Sequence, residues 1–393
     1  MSKPVILVIA VWYIPGYEMG GSVVSIENIV NALKECFEFK IVTMGCNSSG
    51  LPYPGIKMNC WNRIENADVY YCSSFPRALW NLRSLVSKMS FDILYLNSFF
   101  QPVFTTFPLL LQRMHLIDNV PVVLAPRGEF SEGAMKIESR KKSLFIDIAS
   151  RIKLYESITW QASSSQEEKD IRQVLPDKKN IVVAPDLSAW AETKVAKINN
   201  REKTTNYLHI VFLSRISRKK NLDSALRILM NVQGNVDFDI FGPIEDKAYW
   251  NECENVIQEL PDNIHAHYQG EVKHEDVQMI FSQYHLFLFP TLGENFGHVI
   301  LESLLSGCPV LISDQTPWRD IRAAEAGWDI PLKDFDAFQK VIDSLCDLTQ
   351  KEFNVLSNNA AAYGNAYIQD ESVQDANFHL FMDLLPKWND KSS

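Results

Sequence analysis

The sequence predicts an α/β protein made of two doubly wound domains, each built on a largely parallel sheet. Apolar segments with the length of buried strands alternate with helical patterns along the chain, as is typical of parallel sheets with crossover helices. A polar, charged stretch from Pro185 to Thr205 separates two series of these elements. The 393 residues, 46% of them hydrophobic, are enough for two domains that each bury a core.

We therefore predict a first domain over residues 1–187, a linker over 188–205, a second domain over 206–370 and a C-terminal helical segment over 371–393. The predicted strands are Val5–Trp12, Phe37–Thr43, Ile93–Leu96, Val120–Ala125, Ile210–Leu213, Phe238–Phe241 and His265–Tyr268, and first-half helices begin near Ser22, Arg77 and Ser139. Only one lysine precedes the apolar run at the N-terminus, and no small-residue cleavage pattern follows it. We therefore expect a first strand there rather than a signal peptide.

Composition argues against several classes of protein. Seven cysteines are scattered and never in CxxC spacing, which argues for a reducing compartment and against disulfides or a zinc site. The apolar segment Ile93–Leu111 is interrupted by polar residues and prolines, so it does not predict a membrane span. The net charge of −10 and the lack of a recognisable binding module argue against nucleic acid as a partner.

Charge is unevenly distributed along the chain. Residues 1–185 carry a net charge of +3 and the remainder −13. Much of the basic excess lies between Lys136 and Lys153, where basic residues alternate with apolar ones such as Leu144, Ile148 and Ile152. An amphipathic basic helix can lie on an anionic membrane surface. The alternative is a solvated helix face over a core stripe, and the sequence leaves the two open.

The stretch Phe287–Asp314 is the candidate functional motif. A Gly-rich acidic turn over 293–297 follows an apolar strand and leads into a helix that runs to Gly307. Glu294 lies at the predicted helix mouth and Glu302 two turns inside, which corresponds to about 12 Å at about 1.5 Å of rise per residue. A helix N-terminus favours a diphosphate. An ordinary βαβ unit would explain these elements except Glu302, because a carboxylate among apolar residues is costly without a partner.

This pattern, Glu-x7-Glu followed by a turn with glycine and Pro-Val, resembles the signature of glycosyltransferase family 4. Members of that family are retaining, nucleotide-sugar-dependent enzymes of the GT-B fold. The family's usual E-G-F-G stands here as Glu294-Asn295-Phe296-Gly297, and asparagine tolerates unusual dihedral angles. The resemblance implies two Rossmann-like domains facing each other across a cleft, with the final helix packing back on the first domain.

The resemblance extends to two cations after the first strand of the second domain. The family pattern is an arginine with a lysine five positions on, usually followed by glycine, and Arg215, Lys220 and Asn221 occupy these positions. Fixed cations at the carboxyl end of a parallel strand suit a diphosphate. Arg218 and Lys219 are expected to face solvent. A surface cluster of bases is the alternative interpretation.

Two further segments match the family. Gly20-Gly21 follows the first strand, where adjacent glycines let a ligand approach the backbone, and Ser22 is a residue type favoured as an N-cap. In family 4 such a glycine pair faces the donor phosphates. Gly270-Glu271-Val272 resembles the loop that contacts the base, with Val272 as the predicted contact.

Candidates for the acceptor surface are Asn97, Arg127 and Glu129, which follow first-domain strands expected to point into the cleft. These regions lack the histidine that many relatives carry there. Two Asp-x-Asp triplets, at 237–239 and 334–336, resemble the metal motif of the other large glycosyltransferase fold. Neither adjoins the phosphate-binding elements, so we expect structural roles for both, no metal and no other cofactor.

Taken together, these features predict a retaining hexosyl-type glycosyltransferase that uses a nucleoside-diphosphate-sugar and a glycan or lipid-linked acceptor in polysaccharide biosynthesis. The predicted catalytic residues are Glu294, Arg215 and Lys220. The predicted donor-binding residues are Gly20, Gly21, Arg215, Lys220, Val272, Glu294, Asn295, Phe296, Gly297 and Glu302. We expect a cytoplasmic protein, peripheral at the inner face of the membrane if the basic helix contacts lipid. A different GT-B enzyme, such as a nucleotide-sugar epimerase, and a non-catalytic GT-B scaffold are the alternatives.

Overall fold

The structure is a computed structural model that describes residues 3–47, 50–136, 139–177, 179–188 and 201–386. The chain divides into two compact units. The N-terminal unit comprises residues 1–189 and 371–393, and the C-terminal unit comprises residues 190–370. Each unit is an α/β layer structure built on one sheet, so the predicted fold class of two Rossmann-like domains is confirmed.

The sheet of the N-terminal unit is parallel except at one edge. Its strands are β1 (Val5–Ile9), β2 (Glu38–Met44), β3 (Trp61–Ile64), β4 (Ala67–Cys72), β5 (Ile93–Asn97), β6 (Val122–Ala125), β7 (Ile158–Ala162) and β8 (Ile181–Val183). They are ordered β3-β4-β2-β1-β5-β6-β7-β8, with β3 antiparallel to β4. The strand order reverses between β1 and β5, so the carboxyl ends of these two strands flank a topological switch point, where open α/β sheets bind ligands.

Helices cover this sheet and supply the rest of its core. They are α1 (Gly21–Leu33), α2 (Phe75–Val86), α3 (Phe107–Arg113), α4 (Glu132–Lys136), α5 (Ser139–Arg151), α6 (Ser165–Val174) and α13 (Glu371–Met382). The last of these comes from the far end of the chain. Its Phe381 ring packs 6.0 Å from Phe37 and 5.2 Å from Tyr95, and Asn377 Nδ2 donates to the Pro185 carbonyl at 2.7 Å. These contacts tie α13 to the N-terminal unit.

Two expectations for helix ends differ from the structure. Ser22 is not the N-cap of α1, because Gly20 takes that position with φ 94° and the helix begins at Gly21. A positive φ suits glycine, and it turns the chain into the helix one residue earlier than the serine pattern suggests. The C-terminal helical segment was predicted over 371–393, but α13 ends at Met382. Residues 387–393 of that expectation lie outside the described residues.

The C-terminal unit is built on a fully parallel sheet. Its strands are β9 (Tyr207–Leu213), β10 (Asn235–Phe241), β11 (Ile264–Gly270), β12 (Leu286–Phe289), β13 (Val310–Ser313) and β14 (Gly327–Ile330). Their order is β11-β10-β9-β12-β13-β14, with every neighbouring pair parallel. This is the doubly wound order with one reversal, between β9 and β12. The carboxyl ends of β9 and β12 therefore flank the switch point of this unit.

The helices of the C-terminal unit bury apolar faces against both sides of its sheet. They are α7 (Leu222–Leu229), α8 (Lys247–Gln258), α9 (Val277–Phe281), α10 (His298–Leu305), α11 (Phe335–Cys346) and α12 (Gln350–Ile368). Helix α10 ends at Leu305, two residues before Gly307, the residue predicted to end it. The Gly307 N–H bonds the Leu304 carbonyl at 2.8 Å and the Cys308 N–H bonds the Ser303 carbonyl at 2.9 Å. This is the Schellman pattern of a helix C-terminus.

The start of the C-terminal unit includes residues that the sequence placed in the linker. Residues 189–200 of that predicted linker lie outside the described residues. Arg201, however, is buried, and its guanidinium donates to four carbonyls, those of Ser282, Tyr284, Ser306 and Gly307, at 2.5–3.0 Å. These carbonyls lie at the C-terminal ends of α9 and α10. Arg201 therefore anchors the chain to this unit by satisfying helix-terminal acceptors.

Candidate functional site

Lys220 and Glu294 meet at the switch point of the C-terminal unit. Lys220 follows β9 at the end of the 3-10 segment Arg218–Lys220, and Glu294 lies in the loop after β12. Lys220 Nζ donates to Glu294 Oε1 at 2.5 Å, and the two side chains are 13% and 10% exposed. Two residues of the predicted catalytic set, 74 positions apart in sequence, thus form a largely buried ion pair.

The loop that carries Glu294 is held in place by hydrogen bonds to both neighbouring strand ends. Thr291 Oγ1 donates to the Lys219 carbonyl at 3.1 Å and to Glu294 Oε1 at 3.2 Å. On the other side, Ser313 Oγ donates to the Thr291 carbonyl at 2.6 Å and the Glu294 N–H bonds the Gln315 carbonyl at 3.0 Å. The position of the Glu294 carboxylate is therefore fixed before any ligand arrives.

Asn221, in the slot where family 4 usually has glycine, has φ 62° and ψ 43°. This left-handed conformation explains why glycine or asparagine is needed there. Its amide Nδ2 donates to the Pro290 carbonyl at 2.7 Å, which joins the loop after β9 to the end of β12. Asparagine therefore supplies the required conformation and also a bond that glycine could not make.

The turn at 294–297 is not helical, which corrects one expectation. Helix α10 begins at His298 with Gly297, at φ 82°, as its N-cap. The 12 Å separation inferred for Glu294 and Glu302 assumed a continuous helix and does not apply. Within the described residues, the N–H groups of Phe296 and Gly297 donate no hydrogen bond. They remain available to an anion at the start of α10.

Phe296 contributes its backbone rather than its side chain to this loop. Its ring is buried against Trp318 and Tyr367, with centroids 5.2 Å and 5.5 Å away. Trp318 Nε1 donates to the Phe296 carbonyl at 2.6 Å. Asn295, beside it, is not among the residues with positive φ in the described part of the chain. Asparagine in the family's glycine slot therefore causes no backbone strain.

Glu302 lies near the middle of α10 and is buried among apolar residues. Its side chain is 8% exposed, and the nearest basic atom recorded is His274 Nδ1, 3.8 Å from Oε1. Burial raises the pKa of Glu302 to about 7. A carboxyl group kept in such surroundings is characteristic of functional sites, although the structure leaves it apart from the Lys220–Glu294 pair.

Arg215 also has an acidic partner, but in solvent. Its Nη1 donates to both carboxylate oxygens of Glu245 at 3.1 and 3.0 Å, and both side chains are at least one-third exposed. Arg218 pairs in the same way with Glu252, at 2.9 and 2.6 Å. Arg218 is the more exposed of the two arginines, as expected from the sequence.

The predicted base-contacting loop follows β11. Val272 is partly buried against the core of the unit. The chain continues into the 3-10 segment His274–Asp276, whose first residue is the histidine beside Glu302. The predicted base contact Val272 and the predicted donor-binding residue Glu302 are thus linked through Lys273 and His274.

In the N-terminal unit, Gly20 and Gly21 stand at the switch point, between β1 and α1. The Gly20 N–H bonds the Tyr17 carbonyl at 2.9 Å, and the Tyr17 hydroxyl donates to Glu27 of α1 at 2.8 Å. Burial raises the pKa of Glu27 to about 7, and the Tyr17 hydrogen bond opposes that effect. The loop before the glycine pair is therefore tied to the helix after it.

The three acceptor candidates form hydrogen bonds inside the N-terminal unit. Arg127 donates to Asp186 at 2.6 Å, to Tyr95 at 2.7 Å and to Asn97 Oδ1 at 3.0 and 3.1 Å. Glu129 accepts from the Ser98 hydroxyl and the Phe99 N–H, both at 2.5 Å, and from the Phe100 N–H at 3.1 Å. These contacts give Asn97, Arg127 and Glu129 structural partners, and their role toward an acceptor stays a prediction.

The Asp-x-Asp triplets also have partners within the fold. Asp239 bonds His209, Gln269 and Tyr284 at 2.7–2.9 Å. Asp237 accepts from the Tyr207 hydroxyl at 2.5 Å, and Asp334 caps α11 by accepting from the Ala337 N–H at 3.1 Å. In the described part of the chain, no group of three or more His, Cys, Asp or Glu side chains could hold a metal ion.

Several site residues were not predicted. Thr291 and Glu245 each contact a predicted residue, and His274 contacts Glu302. His274 alone had a usable signal, because it is a titratable side chain two positions after the predicted base contact. The other two are identified only by tertiary contacts.

Most of the C-terminal unit matches a known family model. Residues 194–363 match the family model described as glycosyl transferases group 1. An uncharacterized 41.2 kDa protein in the cps region of Klebsiella pneumoniae is 25% identical over 130 residues, which are 31% of this chain and 32% of that protein. The alignment thus spans about a third of that relative's length.

Solved structures resemble the whole chain. Sucrose-phosphate synthase from Thermosynechococcus elongatus has a TM-score of 0.71 at 15% identity, covering 98% of this chain and 99% of that one. Anabaena HepE in complex with UDP-glucose has a TM-score of 0.66 at 14% identity, covering 95% and 98%. At these identities the likeness shows the fold, which is GT-B. Together with the group 1 domain, it supports a glycosyltransferase enzyme.

Proposed function

We propose that this protein is a retaining glycosyltransferase of family 4 that transfers a sugar from a nucleoside-diphosphate-sugar to a glycan or lipid-linked acceptor in polysaccharide biosynthesis. The observation that carries the proposal is the buried Lys220–Glu294 pair beside the free N–H groups of Phe296 and Gly297. The cps-region relative supports the polysaccharide setting, and the UDP-glucose complex of HepE supports a nucleotide-sugar donor.

In this proposal the diphosphate binds at the switch point of the C-terminal unit. An ammonium group has three N–H donors, and the recorded contact of Lys220 with Glu294 uses one of them. Lys220 can therefore hold Glu294 and a phosphate oxygen at once. Arg215 would exchange Glu245 for the phosphates, and the N–H groups before α10 would complete the anion site. Preorganised donors of this kind stabilise charge on the leaving group, so we propose no metal requirement.

Glu294 and Glu302 have separate roles in this proposal. Glu294, oriented by Lys220 and Thr291, would accept hydrogen bonds from the sugar hydroxyls. A carboxylate held in an ion pair is a poor nucleophile, which favours transfer without a covalent glycosyl-enzyme. Glu302 would accept hydrogen bonds from the ribose hydroxyls, and Val272 would contact the base. Gly20 and Gly21 would approach the donor through their backbone.

Thermal unfolding with a panel of nucleotides tests the donor site. UDP, GDP, ADP and CDP are tested separately at millimolar concentration, and a nucleotide-sugar of each is tested in a parallel sample. At least one should raise the melting temperature, because a ligand at a hundred times its Kd stabilises by about 2.7 kcal/mol. Glu302→Ala should lose this shift. Glu259→Ala, which changes an exposed glutamate of the same unit, should keep it.

The panel also separates the competing functions. If no nucleoside diphosphate stabilises the protein, the donor site and the proposed function are wrong. With a stabilising nucleotide-sugar, sugar transfer to an acceptor or slow hydrolysis to free sugar supports the proposal, whereas interconversion of the sugar on the nucleotide identifies an epimerase. The anomeric coupling constant of the product in proton NMR should match that of the donor, as retention requires.

We also propose that the N-terminal unit contacts anionic lipid through α5 and the end of α3. In α5, Phe145, Ile146 and Ala149 turn toward the core, so they account for the core stripe. Leu144 and Ile148 turn outward, and they are 61% and 51% exposed. If α5 only covered the core, Leu144 and Ile148 would have no reason to be apolar. No helix in the described part of the chain is long and apolar enough to cross a membrane.

The neighbouring residues extend this outward stripe and add positive charge. Ile152, Met114 and Leu116 are also exposed, and Arg113 donates to the Lys153 carbonyl at 3.1 Å, which brings the ends of α3 and α5 together. Helix α5 carries four basic residues and one acidic residue. Apolar side chains with adjacent cations favour an anionic lipid surface. The free state of all seven cysteines supports a reducing, cytoplasmic location.

Vesicle flotation tests this surface. The protein should float with vesicles that contain anionic phosphatidylglycerol, and less with pure phosphatidylcholine. Leu144→Ser with Ile148→Ser should abolish flotation. Leu51→Ser with Val355→Ser is the matched control, since those side chains are 64% and 52% exposed elsewhere on the chain. Equal flotation of both double variants would overturn the assignment of this surface.

A further inference from the structure

The buried carboxyl of Glu302 has one recorded basic neighbour. His274 Nδ1 lies 3.8 Å from Glu302 Oε1, and the imidazole is 35% exposed while the carboxyl is 8% exposed. His274 opens the 3-10 segment His274–Asp276 after β11, and Glu302 lies on α10. The histidine therefore stands between a buried acid and solvent, on the segment that follows the predicted base contact.

The other elements around Glu302 bring few charged groups. Helix α9 has no titratable side chain, and the recorded contacts of α12 with the end of α10 are made by Ser357 and Gly364. On α10 itself, His298 lies one turn before Glu302 and its ring packs 4.8 Å from Phe296. Lys273 and Glu275 pair with each other in solvent at 3.7 Å.

We propose that His274 is a positioning residue for the donor, which takes up the proton of Glu302 when a nucleotide ribose binds. This inference rests on the proposed function. The ribose diol offers two O–H donors, and an ionised carboxylate is the acceptor that can bind both. The proton moves from a Glu302 oxygen to His274 Nδ1, which leaves a carboxylate between the diol and an imidazolium.

The geometry suits this transfer. A separation of 3.8 Å is too long for a hydrogen bond but within the range of an ion pair. A shift of about one ångström would close it to a hydrogen bond. Burial raises the pKa of Glu302 and lowers that of His274, so both groups are close to neutral in the empty site. Ribose binding favours the charged form of Glu302, and the resulting carboxylate stabilises the imidazolium.

Transfer of the proton to His274 determines how many protons are released to solvent when a nucleotide binds. In the native protein the proton moves within the site, so nucleotide binding should release few protons to solvent. In His274→Ala and His274→Gln the proton must leave to solvent, and binding below pH 7 should release up to one proton. Affinity should then weaken by about tenfold per pH unit below the pKa of Glu302, because only the ionised form binds.

Calorimetry in buffers of different ionisation enthalpy measures this release. The probe is whichever of UDP, GDP, ADP or CDP stabilises the native protein, titrated from pH 6 to pH 8.5. Glu302→Gln provides the baseline, since the proton changes of the nucleotide phosphate are common to all variants. His274→Ala and His274→Gln should bind about tenfold more weakly than the native protein at pH 6, one unit below the pKa of Glu302, and recover at pH 8.5.

The outcomes are distinct. If both histidine variants release as many protons as the native protein and follow the same pH profile, His274 does not take the proton, while the proposed function stands. If His274→Gln behaves like the native protein while His274→Ala does not, the histidine acts only as a hydrogen-bonding side chain, and the inference is overturned. If no nucleoside diphosphate binds the native protein, the proposed function fails and the inference fails with it.

Discussion

In the Lys220–Glu294 pair, each buried charge is the partner of the other. Both side chains are largely buried, and each would be costly alone. Glu294 accepts a second hydrogen bond, from Thr291. Within the described residues, the Lys220 ammonium donates a hydrogen bond to Glu294 and has further N–H groups that can donate to a ligand. The carboxylate is therefore fixed, and the lysine has donors to offer an incoming phosphate. This asymmetry predicts different effects for the two residues.

Lys220→Met should weaken the binding of a nucleoside diphosphate by about ten- to a hundredfold, the range expected for a lost charge-assisted hydrogen bond. Glu294→Gln should leave that affinity unchanged or tighter, because the lysine is freed, and should lower the rate of sugar transfer or donor hydrolysis. Isothermal titration with the diphosphate and a turnover assay with its sugar measure the two effects.

Arg218→Gln is the control for this comparison. Arg218 lies two residues before Lys220 and pairs with Glu252 in solvent. Its loss should change neither affinity nor turnover by more than about twofold, as for exposed ion pairs in general. If Lys220→Met and Glu294→Gln weaken diphosphate binding equally, the separate roles assigned here are wrong.

At the scale of elements, the sequence predicted those whose local pattern agrees with their burial. The strands β1, β5, β6, β9 and β12 are mostly buried and apolar, and they lie close to the predicted positions. The edge strand β11 was also predicted, although most of its residues are exposed or partly exposed. The strand β7 was not predicted because it carries polar residues that are satisfied only in the fold. Gln161 in that strand accepts from Tyr95 at 2.6 Å and donates to the Ala184 carbonyl at 3.1 Å.

Other elements depend on packing that no local pattern reveals. The hairpin of β3 and β4 lies at one edge of the N-terminal sheet. Its outer strand β3 has only four residues and is partly exposed, so apolar and polar residues alternate too briefly in it to predict a strand. In α5 the sequence showed many apolar residues, but only the packing decides which of them face the core. The start of α10 was misplaced because the left-handed Gly297 delays the helix, which no acidic or apolar pattern marks.

The same limit applies to the candidate site. Glu294 and Glu302 could be singled out because charged residues in glycine-rich or apolar surroundings need a reason. Lys220 could be singled out because it follows a strand and matches a family pattern. Two of the contacts join distant elements. His274 reaches Glu302 from the segment after β11, and Glu245 reaches Arg215 from the loop after β10. Thr291 lies in the same loop as Glu294, but only the folded loop shows their contact. The sequence therefore predicts candidate site residues, and the tertiary structure adds the side chains that contact them.

At the scale of the whole molecule, glutamates with raised pKa values in both units make stability depend on pH. In the N-terminal unit, burial raises the pKa of Glu129 and Glu167. Burial raises the pKa of Glu27 in the N-terminal unit and of Glu302 in the C-terminal unit from 4.5 to about 7. In both cases the folded state binds the proton more tightly than the unfolded state. The free energy of unfolding contributed by these groups is therefore present below pH 4.5 and lost as pH rises to about 7.

We expect the protein to lose stability between about pH 4.5 and pH 7, with Glu302 contributing about 3 kcal/mol and the half-buried Glu27 less. Urea unfolding across this range measures the loss. Glu302→Gln and Glu27→Gln should each flatten the pH dependence, since a neutral amide has no proton to lose. Glu254→Gln, at an exposed position, should not. If the stability of Glu302→Gln depends on pH as steeply as that of the native protein, the Glu302 carboxyl of the native protein is already ionised at pH 5. A bound ribose would then have no proton to displace.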